Sequence, residues 1–112
     1  HFLIERDGVV TQFVSCNERA WHAGQSLFAE RENCNDFSLG IELEGTDYLP
    51  FTAQQYAALI ALTRQLQAVY PAITLERICG HSDIAPGRKT DPGPAFDWAA
   101  LRLGLQQDKE LT

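Results

Sequence analysis

The sequence has few basic residues and no long apolar run, and each shortage excludes a class of protein. Nine lysines and arginines stand against fifteen acidic residues, and the formal net charge is -6. Without a basic cluster, we expect neither nucleic acid nor an anionic membrane surface as a partner. The sequence contains no run of about 18 apolar residues, so we expect no membrane span, and it contains no charged-then-apolar leader, so we expect no signal peptide.

Cysteine is also scarce, and its spacing is irregular. Cys16, Cys34 and Cys79 are an odd number and do not form the paired framework of a small secreted domain. A reducing compartment fits better, and a redox or disulfide protein is poorly supported. With 112 residues, of which 45% are hydrophobic, the chain fits one small domain over residues 1–112.

Two patterns predict β-structure. Residues 2–5 and 9–14 are β-prone and flank Arg-Asp-Gly at 6–8, which predicts a hairpin. Residues 36–44 alternate apolar and polar side chains, which predicts a half-buried strand. Between them, residues 15–36 lose any period and predict a long loop with at most one helical turn.

Helical signals follow. Thr52 and Gln55 form a capping box, and apolar residues then recur at helical spacing until Pro71, which predicts a helix over 53–70. Asp97 is a suitable N-cap for a last helix with an apolar stripe made by Trp98, Leu101 and Leu105.

Residues 74–80 predict a short strand that delivers His81 to its end, and the prolines and glycines of 86–94 predict a loop. Strands and helices together indicate an α+β fold in which helices pack on a mixed sheet.

The chemistry centres on His81 and Asp91, ten residues apart on a proline-rich segment. A neutral imidazole and a carboxylate suit zinc, although two protein ligands are one too few for a catalytic site. His22 and His1 are both candidates for a third ligand. On spacing alone, an exposed ion pair between His81 and Asp83 explains the pattern as well.

Three further residue types suggest amide hydrolysis. Glu42 shares its strand face with small Gly40, so either Glu42 or Glu44 could act as a general acid and base, or both could simply face solvent. Lys89 could stabilise an oxyanion, or it could be a solvated surface lysine. Trp21 could cover a sugar or peptide, or it could anchor its loop on the core.

Residues 21–24, 34–45 and 80–94 together resemble the AmpD-type N-acetylmuramoyl-L-alanine amidase family, with the motifs in matching order and spacing. The resemblance implies a mixed β-sheet with packed helices, as in peptidoglycan recognition proteins and type 2 amidases. It implies a zinc enzyme that cuts the bond between (1,6-anhydro-)N-acetylmuramic acid and L-alanine. It also implies a bacterial, cytoplasmic protein of cell-wall recycling with a muropeptide substrate, and we expect a monomer.

The resemblance also assigns roles to single residues. It implies that His81 and Asp91 are zinc ligands, that Glu42 is the catalytic acid, and that Lys89 assists the transition state. The residues expected to bind substrate are Trp21, His22 and Asn35.

The sequence departs from the family at one point. The remaining zinc ligand of the family is a histidine on an early strand, and that strand has no counterpart here, since His1 aligns with a different histidine. We therefore expect residues 1–112 to be an amidase domain truncated at its N-terminus. A complete chain would instead be a non-catalytic muropeptide-binding module.

Overall fold

A computed structural model describes the backbone of residues 1–111 and the side chains of residues 1–106. Its main sheet has three strands in the order β2-β1-β5, and a separate two-stranded sheet pairs β3 with β4. The strands are β1 (Phe2–Ile4), β2 (Val10–Gln12), β3 (Leu27–Phe28), β4 (Arg31–Glu32) and β5 (Ile41–Leu43). The helices are α1 (Ala53–Val69), α2 (His81–Ile84) and α3 (Trp98–Leu111).

The main sheet is mixed, which confirms the predicted α+β fold. β1 pairs antiparallel with β2, so that Leu3 lies opposite Thr11, and it pairs parallel with β5, where Leu3 lies opposite Glu42. The turn between β1 and β2 contains Gly8 at φ +90°, and the Asp7 carboxylate accepts the Val9 amide at 3.0 Å. The predicted hairpin is therefore confirmed.

β5 is shorter than the strand predicted over residues 36–44. Cys34–Asp36 instead forms a 3₁₀ turn, and both the amide and the hydroxyl of Ser38 bond to the Cys34 carbonyl. These local bonds use backbone groups that a longer ladder would need. The predicted alternation survives within β5, because Ile41 and Leu43 are half-buried and Glu42 is exposed.

α1 confirms the predicted helix to within one residue. The Thr52 side chain accepts the Gln55 amide, and the Gln55 side chain accepts the Thr52 amide, which completes the capping box. The helix ends before Pro71, which cannot continue it.

The strand predicted over residues 74–80 is wrong. Leu75–Arg77 forms a 3₁₀ turn, in which the Arg77 amide bonds to the Thr74 carbonyl at 3.0 Å. His81 consequently opens the short helix α2 rather than a loop. The loop prediction is confirmed over residues 86–94, and Asp97 caps α3 by accepting the Ala100 amide at 3.0 Å.

The segment from 15 to 36 contains more structure than expected. A tight hairpin joins β3 to β4 through Ala29 and Glu30, both at positive φ. Neither residue type favours that conformation, so no turn was predicted at these positions. The expected helical turn is confirmed by the 3₁₀ turn at Cys34–Asp36.

The core lies between the sheet and the helices. Ile4 of β1 is fully buried and packs within a cluster of apolar side chains from β1, α1 and α3. The stripe predicted for α3 takes part through Leu101 and Leu105. No helix among the described residues has both the length and the apolar character that crossing a membrane requires.

Candidate active site

His81 and Asp91 are the centre of the site. The His81 Nδ1 and Asp91 Oδ2 atoms lie 3.3 Å apart, with side chains 16% and 59% exposed. α2 presents His81, and the Ser82 amide donates to the Asp91 carbonyl at 3.0 Å, which ties the loop back to α2. The structure therefore brings together the two residues that the sequence predicts as ligands.

The other ring nitrogen of His81 is bound to the backbone. Nε2 lies 2.7 Å from the Ala23 carbonyl oxygen, which only accepts, so Nε2 carries a hydrogen. Nδ1 then turns toward the Asp91 carboxylate, which is also an acceptor. Two facing acceptors are stable only with a proton or a metal cation between them.

This geometry fits two positions of a zinc site. Two ligand atoms about 2.0–2.2 Å from one tetrahedral zinc ion lie roughly 3.3–3.5 Å apart, which agrees with the measured separation. Histidines that bind metals also usually donate their second N–H to a backbone carbonyl or carboxylate. Among residues whose side chains are described, no group of three His, Cys, Asp or Glu surrounds a common point.

His1 is excluded as a third ligand by its own hydrogen bonds. Its Nε2 lies 2.8 Å from the Glu18 carbonyl oxygen, and its Nδ1 accepts the Gly40 amide at 3.1 Å. The ring is buried between these partners. The alternative that His1 completes the metal shell is therefore wrong.

His22 packs against the segment that leads into β5 and has no contact with Asp91 among the described hydrogen bonds. Its Nε2 lies 3.2 Å from the Ser38 hydroxyl and 3.3 Å from the Ser38 carbonyl oxygen. A Cβ atom on Gly40 would lie 2.5 Å from the His22 ring, so only glycine fits there. Burial lowers the pKa of His22, the Ser38 carbonyl partly offsets this, and the His1 ammonium and then His81 lower it further.

Asn35 fixes the loop that carries Trp21 and His22. Its buried side-chain oxygen accepts the His22 amide at 2.9 Å and the Ala23 amide at 2.7 Å. Any effect of this oxygen on substrate binding therefore passes through the loop. Trp21 itself is 81% exposed, with the Arg19 guanidinium over its ring at 5.2 Å, so the alternative of a core-anchoring Trp21 is wrong.

Glu42 and Lys89 are both exposed, and no hydrogen bond or ion pair of either side chain is found within the described part of the chain. Glu44 differs, because its carboxylate accepts the Arg6 amide at 2.8 Å. That bond ties Glu44 to the hairpin turn and leaves Glu42 as the better candidate of the two acids.

Sequence reasoning missed two residues that hold the site together. Arg88 donates to the carbonyls of Ala23 and Gln25 at 2.6 and 2.7 Å. Asp47 accepts the Thr90 hydroxyl at 2.7 Å, one residue before Asp91. No spacing rule finds such contacts, because they join distant segments through backbone groups or exposed polar side chains.

Comparison with known proteins gives consistent results. The family model described as N-acetylmuramoyl-L-alanine amidase matches residues 1–94. The 1,6-anhydro-N-acetylmuramyl-L-alanine amidase AmpD of Enterobacter cloacae is 59% identical over 112 residues, which covers 98% of this chain and 59% of that protein. The chain thus spans about three fifths of this curated relative.

Solved structures also resemble the fold. A crystal structure of a selenomethionine AmpD derivative has a TM-score of 0.91 and 56% identity, covering 94% of this chain and 58% of that one. The E. coli amidase AmiD, in complex with the substrate anhydro-N-acetylmuramic acid-L-Ala-D-γ-Glu-L-Lys, has a TM-score of 0.87 and 37% identity. That match covers 93% of this chain and 46% of AmiD.

Proposed function

The chain belongs to the N-acetylmuramoyl-L-alanine amidase family, and from this premise we propose that it carries the centre of a zinc-dependent amidase. The reaction is hydrolysis of the amide between (1,6-anhydro-)N-acetylmuramic acid and L-alanine of a peptidoglycan fragment. The expected setting is cell-wall recycling in the cytoplasm, by a monomer.

One observation carries the proposal: His81 Nδ1 lies 3.3 Å from Asp91 Oδ2, while His81 Nε2 donates to the Ala23 carbonyl. We assign His81 and Asp91 as two zinc ligands. When bound, zinc would polarise the carbonyl of the substrate amide and lower the pKa of a water molecule. Asp91 is negatively charged, so it partly offsets the charge of the ion.

Glu42 is assigned as the general acid and base. Its carboxylate on β5 is exposed and makes no hydrogen bond or ion pair within the described structure, so it is available to take a proton and return it to the leaving amine. Lys89, two residues before Asp91, is assigned to stabilise the negative charge that develops on the amide oxygen.

Substrate recognition is assigned to the loop held by Asn35. The exposed Trp21 ring can cover the apolar face of a sugar or peptide, and His22 sits next to it over Gly40. The proposed muropeptide substrate is supported by AmiD, whose complex contains an anhydromuramoyl tripeptide.

Hydrolysis of the same anhydromuramoyl tripeptide tests the proposal. The protein is incubated with this compound, and mass spectrometry follows release of the free tripeptide. We expect cleavage that a strong chelator abolishes and that added zinc restores. Cleavage unaffected by chelation would contradict the zinc assignment, and binding without cleavage under zinc would support the non-catalytic module instead.

A further inference from the structure

Ala23 is a meeting point for three distant segments. Its amide donates to Asn35, and its carbonyl oxygen accepts both His81 Nε2 at 2.7 Å and an Arg88 N–H at 2.6 Å. The residue is 1% exposed. A carbonyl oxygen has two lone pairs, so this one is saturated by the ring and the guanidinium.

Arg88 also forms a second hydrogen bond to the same loop. The Arg88 nitrogen that donates to the Ala23 carbonyl also donates to the Gln25 carbonyl at 2.7 Å. The guanidinium therefore bonds to the residues on both sides of Gly24. Gly24 has φ +63°, and a Cβ atom there would lie 2.9 Å from the guanidinium. The positive φ favours glycine at position 24, and a larger residue there would also push the guanidinium away from its two carbonyls.

We propose that Arg88 is a positioning residue for His81: it holds the Ala23 carbonyl in place, and that carbonyl keeps the ring hydrogen on Nε2 and Nδ1 directed at Asp91. This inference rests on the proposed function, since it gives Nδ1 the role of a metal ligand. It also links the Trp21 loop to the metal ligands through one peptide group.

The guanidinium of Arg88 preorganises the loop that orients the His81 ring. Without the guanidinium, the Ala23 carbonyl keeps only the His81 ring, and the loop around Gly24 loses both bonds to Arg88. The His81 ring is then free to rotate or to change the nitrogen that carries its hydrogen. Loss of a partner that orients a metal-bound histidine typically lowers metal affinity about 10- to 100-fold.

The first measurement uses the metal-free protein. Nuclear Overhauser effects between the His81 ring protons and the protons around Ala23 report the orientation of the ring, and we expect one orientation in the wild type. In Arg88→Ala, we expect these effects to weaken because the ring samples several orientations. An Arg88→Ala spectrum identical to the wild type would overturn the proposal. This readout requires neither zinc nor substrate, so its failure is distinct from failure of the proposed amidase.

The second measurement is zinc affinity, obtained by competition with a chromophoric chelator. We expect Arg88→Ala to weaken binding about tenfold, and Arg88→Lys, which keeps the charge without the planar fork, to recover part of the loss. Arg77→Ala is the matched control, since Arg77 is an exposed arginine that donates to the Ala72 carbonyl. Unchanged zinc affinity with lost amidase activity would place Arg88 on the substrate and overturn the positioning role.

Arg88→Gln covers the case in which Arg88→Ala fails to fold, because its side chain is shorter and carries no charge. Its fold is checked by comparing backbone amide spectra with those of the wild type. A folded Arg88→Gln protein with wild-type zinc affinity and a wild-type His81 spectrum would overturn the proposal. Weakened zinc affinity and a changed His81 spectrum, with the other amide signals unchanged, would support it.

Discussion

His81 and Glu42, two of the proposed site residues, differ in how firmly their side chains are held. His81 has both nitrogens directed by neighbours, one toward the Ala23 carbonyl and one toward Asp91. Glu42 is exposed and lies opposite Leu3 in the sheet. A ligand must be held still to bind a metal tightly, whereas an acid and base must reach the reacting atoms.

Glu42 and Glu44 offer a matched pair for testing the acid. Glu42→Gln keeps the shape of the side chain but cannot transfer a proton, so we expect kcat to fall by about 10² to 10⁴ with little change in KM. Glu44→Gln is the control, because Glu44 is tied to the Arg6 amide, and it should retain most of the activity. Steady-state rates would contradict the assignment if the two variants lost activity equally.

His22 should make stability depend on pH. Its folded-state pKa is lowered from 6.5, chiefly by burial, so the unfolded chain binds its proton first on acidification. The contribution to stability is full above pH 6.5 and is lost as pH falls through the lowered pKa. Denaturant unfolding of the metal-free protein should show a steeper loss below pH 6.5 for the wild type than for His22→Gln. Equal slopes for both proteins would contradict this account.

The site residues differ in how far the sequence could reveal them. The resemblance to a family pointed to His81 and Asp91, and the structure brings them together. The contacts of Ala23 with His81 and Arg88 span 58 and 65 positions and end on a backbone carbonyl. A carbonyl is present at every residue, so no residue type marks this one.

At the level of elements, Gln55 fastens α1 to the sheet. It is 0% exposed, and its side-chain nitrogen donates to the carbonyls of Ile4 and Glu44 at 3.2 and 2.8 Å. Its oxygen accepts the Thr52 amide at 3.0 Å and an Arg6 N–H at 3.4 Å. One amide group therefore joins β1, the end of β5 and the start of α1.

Replacement of Gln55 should be strongly destabilising. Gln55→Leu removes this partner from the carbonyls of Ile4 and Glu44 and from the Thr52 amide, and we expect a loss of about 2–4 kcal/mol in the free energy of unfolding. Gln65→Ala, an exposed site in the middle of α1, should change stability by less than about 0.5 kcal/mol. Urea unfolding would refute the role of Gln55 if the two variants behaved alike.

Predictability also differed among the elements. α1 could be predicted because its capping box, apolar period and terminating proline all agree. Residues 74–80 could not, because a few apolar residues at alternate positions fit a strand as well as a turn, and the local bonds at Leu75–Arg77 decide the outcome. The β3–β4 hairpin was missed because Ala29 and Glu30 are unusual at positive φ.

At the scale of the whole molecule, the site forms where separate segments meet. The loop around Ala23, the α2 segment and the loop around Asp47 converge from widely separated positions. Such a site exists only in the folded protein, so a metal ion bound there stabilises the fold by mass action.

Metal removal should therefore lower thermal stability. At a free zinc concentration 100 times the dissociation constant, binding contributes about 2.7 kcal/mol. We expect a strong chelator to lower the Tm of the wild type by several degrees and to leave that of Asp91→Ala nearly unchanged. A Tm that responds equally in both proteins would show that the ion binds elsewhere.

The assignment of His81 and Asp91 is tested by the rate at which Asp91→Ala releases the tripeptide from anhydro-N-acetylmuramic acid-L-Ala-D-γ-Glu-L-Lys in the presence of zinc. The control is Asp7→Ala, since Asp7 is an exposed carboxylate in the β1–β2 turn. We predict that Asp91→Ala loses at least about 10³-fold in kcat/KM, several kcal/mol of transition-state stabilisation, while Asp7→Ala stays near the wild type. An Asp91→Ala protein as active as Asp7→Ala would contradict the assignment of the His81–Asp91 pair as the centre of the amidase site.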